Sequence, residues 1–129
     1  MEKTALIVTD GAESTQIMAE AIAEELKSFK VISVSAKDFM GTDLLPAKIC
    51  FFGAENPQPP SYSSLYEILQ HINLIDRLGG VFSGSKNAAQ YLYEMVNNSE
   101  MTLYPDPYLG EGDLKTWVKK VLEPLSKQP

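Results

Sequence analysis

The stretch ALIVTDGAESTQIMAEAIAEEL, residues 5–26, decides how the rest of the chain is read. Ala5-Leu6-Ile7-Val8 is a short continuous apolar run, the pattern of a strand covered by helices on both faces. Met18, Ile22 and Leu26 then recur every fourth residue with Ala21 beside them, while Glu20, Glu24 and Glu25 turn elsewhere. A helix with one core-facing stripe follows. Between strand and helix lies Thr9–Thr15, a loop with Gly11 and the hydroxyls of Thr9, Ser14 and Thr15. The first turn of a helix carries unpaired N–H groups and a partial positive charge, so such a loop can hold a phosphate. It can equally be an ordinary turn in which a Ser or Thr caps the helix, worth about 1 kcal/mol.

Outward from this unit the pattern repeats. Lys30–Ser35 is β-branched and alternating enough for a second strand. Ala36–Leu45 connects it to the third, with a turn of helix at Lys37–Met40 that Gly41 would end. Ala47–Gly53, after Pro46, is the third and most apolar strand and belongs at the sheet's centre. At its carboxyl end stands Ala54–Ser61, stiffened by Pro57, Pro59 and Pro60. It is either a rigid wall beside a ligand or simply a stiff connection.

Ser61 or Ser63 can cap the next helix, whose Tyr62, Leu65, Tyr66, Leu69 and Ile72 share a face. Gly80–Ser83 begins as a fourth strand and ends in the small, polar Gly84-Ser85-Lys86-Asn87 before a helix starting near Ala88, with Tyr91, Leu92, Met95 and Val96 inward. Met101–Tyr104 is a short fifth strand closed by Pro105, and Asp106–Gly112 is a turn-rich connection. Asp113 caps a last helix with Leu114, Trp117, Val118, Val121, Leu122 and Leu125 inward and Lys115, Lys119 and Lys120 outward.

Alternation of strand and helix predicts an α/β fold, a five-stranded parallel sheet with helices on both faces. At this length the doubly wound order 2-1-3-4-5 is the natural choice, with ligands bound beyond the carboxyl ends of strands one and three. Thr9–Thr15, Ala54–Ser61 and Ser83–Asn87 then become neighbours.

The composition narrows the function. At 129 residues one domain is the economical reading, and 44% hydrophobic with 22% charged residues is ordinary for a globular chain. A net charge of −6 and the lack of clustered Lys and Arg argue against nucleic acid. The acidity suits docking onto a basic partner, or serves solubility alone. Cys50, in the run Ile49-Cys50-Phe51-Phe52, reads as a buried small hydrophobe. The chain enters a strand within a few residues of Met1 and has no apolar stretch long enough for a bilayer, so no membrane and a cytoplasmic location are expected. His71, the only histidine, has neither a second histidine nor a CxxC to form a metal site. The GxxxxGK[ST] and GxGxxG phosphate motifs are absent, and Gly53-Ala54 stands where response-regulator receivers carry an aspartate.

The order of elements resembles that of the flavodoxin family over nearly the whole chain. The specific similarity lies in the loop after the first strand, where flavodoxins carry Thr/Ser-x-Thr-Gly-x-Thr followed often by Met-Ala-Glu. Thr15 stands at the final threonine and Met18-Ala19-Glu20 follows in step, whereas Glu13 replaces the glycine, Ala12 a threonine and Asp10 the first hydroxyl residue. The resemblance implies a flavodoxin-like three-layer sandwich and an FMN cofactor, in a monomer that carries electrons between redox protein partners with no catalytic side chain. It implies a phosphate site at Thr9, Asp10, Gly11, Ala12, Glu13, Ser14 and Thr15. The flavin ring would lie between Ala54, Glu55, Asn56 and Tyr62 on one side and Ser83, Gly84, Ser85, Lys86 and Asn87 on the other. Lys86 near the ring would favour its reduced anion and make the potential less negative than is usual for the family. Asp10, Glu13 and the scarcity of aromatic residues in the ring loops favour the alternative, a flavodoxin-fold binding or regulatory module that has lost FMN.

Overall fold

The computed structural model describes residues 3–44, 46–56, 62–71 and 74–126. Among these, β1 (Lys3–Thr9), β2 (Phe29–Ser35), β3 (Ala47–Gly53), β4 (Leu78–Phe82) and β5 (Thr102–Leu103) form a parallel sheet in the order β2-β1-β3-β4-β5. The expected doubly wound order is therefore present, with β3 at its centre. Four helices cover it: α1 (Glu13–Glu24), α2 (Tyr62–His71), α3 (Lys86–Asn97) and α4 (Leu114–Ser126).

Side chains alternate across a strand, so the two faces of the sheet sort by parity. Leu6, Val8, Cys50, Phe52 and Val81 join Leu65, Leu69, Leu92 and Met95 from α2 and α3 in one core. Ala5, Ile7, Ile49, Phe51 and Phe82 join Ala19, Ile22, Trp117 and Val121 from α1 and α4 in the other. Burial on both faces is why β1 and β3 read as continuous apolar runs instead of alternating ones. Val8 of β1 lies level with Val34 of β2 and Phe52 of β3, so the loops after β1 and β3 leave the sheet side by side.

Several boundaries differ from the sequence expectation. Helix α1 already begins at Glu13, which places Ser14 and Thr15 in its first turn. Its buried stripe is Thr15, Ala19 and Ile22, while Met18 and Ala21 are only half-buried. Two of these three residues are small, which lets the helix axis approach the sheet closely. No helical turn forms at Lys37–Met40. Instead the Asp43 carboxylate accepts the Met40 N–H at 2.9 Å, and Gly41, expected to end a turn at Lys37–Met40, opens a 3-10 turn at Gly41–Leu44. Strand β4 starts earlier, at Leu78, and α3 starts at Lys86, with the Ser85 Oγ accepting the Ala88 N–H at 3.3 Å.

The fifth strand holds two residues, not four, and ends before Pro105: Thr102 and Tyr104 donate to the Arg77 and Gly79 carbonyls, but the next carbonyl, of Val81, is not taken by Asp106. The chain returns to β4 three residues later, where Tyr108 donates to the Val81 carbonyl and accepts from the Ser83 N–H. Cys50 is buried as expected, and burial pushes its thiol up to about 12. His71 is exposed. Ser61, Ile72 and the three prolines after Asn56 lie outside the described residues.

Candidate functional site

The loops after β1, β3 and β4 are tied to one another by hydrogen bonds from their own side chains. The first tie starts at Asp10, just past the end of β1. Its Oδ1 accepts the Ala12 N–H at 3.1 Å, closing an Asx turn. Gly11 supplies the positive φ of +85° which that turn needs. The other carboxylate oxygen, Oδ2, reaches across to the second loop and accepts the Glu55 N–H at 2.8 Å. A parallel tie runs from the Ser14 Oγ, which donates to the Glu55 carboxylate at 3.0 Å.

The second and third loops are joined through Ser83. Its hydroxyl donates to the Ala54 carbonyl at 2.5 Å and accepts the Ser85 N–H at 2.9 Å. Beneath them sits Tyr62, whose hydroxyl donates to the Gly53 carbonyl at 2.7 Å with the Val8 carbonyl 3.1 Å away. That hydroxyl spans the ends of β1 and β3. Burial holds the Tyr62 phenol well above its ordinary range, and the nearby Asp10 charge raises it further.

The expected site residues thus divide in two. Thr9, Thr15, Ala54, Tyr62 and Ser83 are buried and shape the floor. Gly11, Glu13, Glu55, Asn56, Gly84, Lys86 and Asn87 are exposed at the rim, with Asp10, Ala12, Ser14 and Ser85 between. Tyr62 differs from expectation: its ring is fully buried and belongs to the core of α2 and β3, so it presents no face to a ligand. Lys86 and Asn87 line a cleft of about 430 Å³ between α3 and residues 105–109, together with Gln90, Tyr93, Pro107 and Leu109.

One polar atom on this floor has no partner. Thr15 is fully buried, and its Oγ1 has no hydrogen bond among the described residues. A buried hydroxyl without a partner costs roughly 1–3 kcal/mol. Thr15 stands in the first turn of α1, whose Glu13, Ser14 and Thr15 N–H groups are among those a helix leaves unsatisfied. The N-cap, Ala12, has no side chain to cover them. A phosphate is the kind of group that would satisfy the Thr15 hydroxyl and these N–H groups together. The carboxylates of Asp10, Glu13 and Glu55 at the same edge work against it.

No family model and no curated protein matches the chain. Solved structures do. A short-chain flavodoxin associated with a bacterial microcompartment superposes with a TM-score of 0.76 at 15% identity, covering 98% of each chain. A flavodoxin from the domain Archaea gives 0.75 at 20% identity, covering 95% of this chain and 99% of that one. The flavodoxin of Streptococcus pneumonia TIGR4 gives 0.73 at 15% identity, covering 95% and 97%. The chain has a flavodoxin-like fold.

Within that flavodoxin-like frame, sequence reasoning missed residues 106–110. The sequence reads Asp106–Gly112 as a turn-rich connection, yet Tyr108 is hydrogen-bonded to both β4 and Ser83, and Gly110 lies beside Gly84. The available signal was the apolar pair Tyr108-Leu109 between Pro107 and Gly110, unusual for a solvated turn. Among the described residues no group of His, Cys, Asp or Glu is arranged to hold a metal, and no helix is long and apolar enough to cross a membrane.

Proposed function

We propose that this protein is a flavodoxin-like electron carrier that binds FMN at the carboxyl edge of its sheet. The observation that carries this reading is Thr15, a fully buried hydroxyl left without a partner in the first turn of α1. In it, Thr15 Oγ1 and the N–H groups of Glu13, Ser14 and Thr15 hold the phosphate. The ring is flanked by Glu55 and Asn56 on one side and Gly84 and Ser85 on the other. Bound there, FMN supplies the redox chemistry, while the protein positions it and sets the surrounding charge. A net charge of −6 with Asp10, Glu13 and Glu55 gathered at this edge suits a basic docking face on the redox partner.

The second reading, a flavodoxin-fold module without FMN, is favoured by Asp10, because its carboxylate already occupies the N–H groups of Ala12 and Glu55. Titration of flavin fluorescence separates the two. FMN is quenched saturably by the protein, and Thr15→Val weakens FMN roughly tenfold or more while riboflavin changes less. No quenching of FMN at about 100 μM protein removes the electron-carrier reading and leaves the binding module.

A further inference from the structure

Two N–H groups from two different loops converge on one carboxylate, with Asp10 Oδ1 3.1 Å from Ala12 N and Oδ2 2.8 Å from Glu55 N. The Ala12 N–H belongs to the start of α1 and the Glu55 N–H to the loop after β3, and a carboxylate accepting from both is bonded much as two oxygens of a phosphate would be. Asp10 immediately precedes the residues whose donors remain open, and the unpartnered Thr15 hydroxyl is buried in the same first turn. A dianion drawn to those donors meets a fixed negative charge at the neighbouring N–H.

We infer that Asp10 is the specificity-determining residue of this cradle, an internal anion with which an incoming phosphate must exchange. The inference rests on the flavin reading above and deepens it. For phosphate to take the Ala12 N–H, the Asp10 carboxylate must leave, and in leaving it releases Glu55. Loading the phosphate seat therefore loosens the second loop, which flanks the ring. Riboflavin, lacking the phosphate, leaves the Asp10 tie intact. The wild-type protein thus gains from the phosphate at Thr15 and the first-turn N–H groups but not at Ala12, and its preference for FMN over riboflavin is smaller than it would be without Asp10.

The test compares wild type with Asp10→Asn and Asp10→Ser, each checked for native far-UV circular dichroism. Asn removes the charge but keeps the Asx turn. Its Nδ2 is a donor and cannot take the place of the oxygen that accepts the Glu55 N–H, and Ser loses the reach to Glu55 altogether. Titrations with FMN and riboflavin are paired with thermal unfolding in about 10 mM inorganic phosphate. Removing the negative charge beside the open donors, and with it the acceptor of the Glu55 N–H, should tighten FMN by roughly ten- to a hundredfold in both variants, with riboflavin changed less than about threefold. Inorganic phosphate should raise the melting temperature of both variants more than that of wild type. Equal tightening of FMN and riboflavin, or an unchanged FMN affinity, overturns the inference. If no flavin binds any of the three proteins, the flavin reading falls and phosphate alone decides. Stabilisation of the variants but not of wild type then supports Asp10 as the internal anion, and equal or absent stabilisation overturns it.

Discussion

Gly53, the last residue of β3, has no room for a side chain, because a Cβ there would overlap the Cε2 and Cζ atoms of Phe82. Phe82 is fully buried, and its ring lies in the core beneath α1 and α4, so it has nowhere to move cheaply. The φ of Gly53 lies outside the left-handed region, so alanine is compatible with the backbone. Without the ring, Gly53→Ala would stabilise by about 0.4–1 kcal/mol through the unfolded chain. Overpacking by one methyl opposes this with roughly 1–3 kcal/mol. The expected net loss is about 1–2 kcal/mol, or a fall in Tm of roughly 3–8 °C at this chain length. Thermal and urea unfolding of Gly53→Ala, Phe82→Leu and the double variant form the assay. In the Phe82→Leu background Gly53→Ala should become neutral or stabilising, a coupling of about 1–2 kcal/mol between contacting residues. Gly79→Ala is the control, since its Cβ would meet the flexible Met101 thioether and should cost less. A Gly53→Ala protein as stable as wild type, or an equal penalty in both backgrounds, would refute the packing argument.

Tyr62→Phe removes a buried hydroxyl that serves the Gly53 and Val8 carbonyls, so urea unfolding should show a loss of about 1–2 kcal/mol with the m-value unchanged. Thr15→Val has the opposite sign, because it deletes a hydroxyl with no partner: the ligand-free protein should gain up to about 1 kcal/mol in the same assay. Alkaline pH should destabilise the fold from pH 9 upward. Burial raises Cys50 from 9.0 to about 12, so between those values the unfolded chain releases a proton that the native state keeps, and stability falls by up to about 1.4 kcal/mol per pH unit. Tyr62 is raised above 10.0 by burial and by Asp10 and adds a second fall above pH 10. Unfolding curves of Cys50→Ala across pH 8–11 should lose the slope between 9 and 10 and keep the later one.

The fold was legible because its decisive signals are local. A strand buried on both faces must be apolar at every position, and β1 and β3 announce this in four and five consecutive residues, Ala5–Val8 and Ile49–Gly53. Helix starts were misplaced where the cap carries no side-chain signal, as at Ala12, or where polar residues such as Lys86 and Asn87 fill a first turn. The site was half legible. Its three loops followed from topology, since the switch point fixes which loops meet. What each residue does there depends on partners far away in sequence, which periodicity does not encode. Tyr62 fell on an apolar helical stripe and beside a candidate loop at once, and only its contacts with Val8 and Gly53 assign it to the core. Asp10 reads in the sequence as a replacement of a hydroxyl residue, and its role as a tie depends on the N–H of Glu55, forty-five residues on.

These ties bear on how a ligand would act here. Asp10, Ser14, Ser83 and Tyr62 already join the loops at the carboxyl edge through the protein's own polar groups. An incoming anion therefore does not order a slack loop. It exchanges one set of hydrogen bonds for another, and affinity is the difference between the two sets. In that exchange the Thr15 hydroxyl is a clear gain, since it gives up nothing. The Ala12 and Glu55 N–H groups contribute little, since they give up Asp10. Replacing Asp10 by a shorter hydroxyl residue would reverse the second term while leaving the first, which is why affinity at this site should respond more to residue 10 than to the rim residues Glu55 and Asn56.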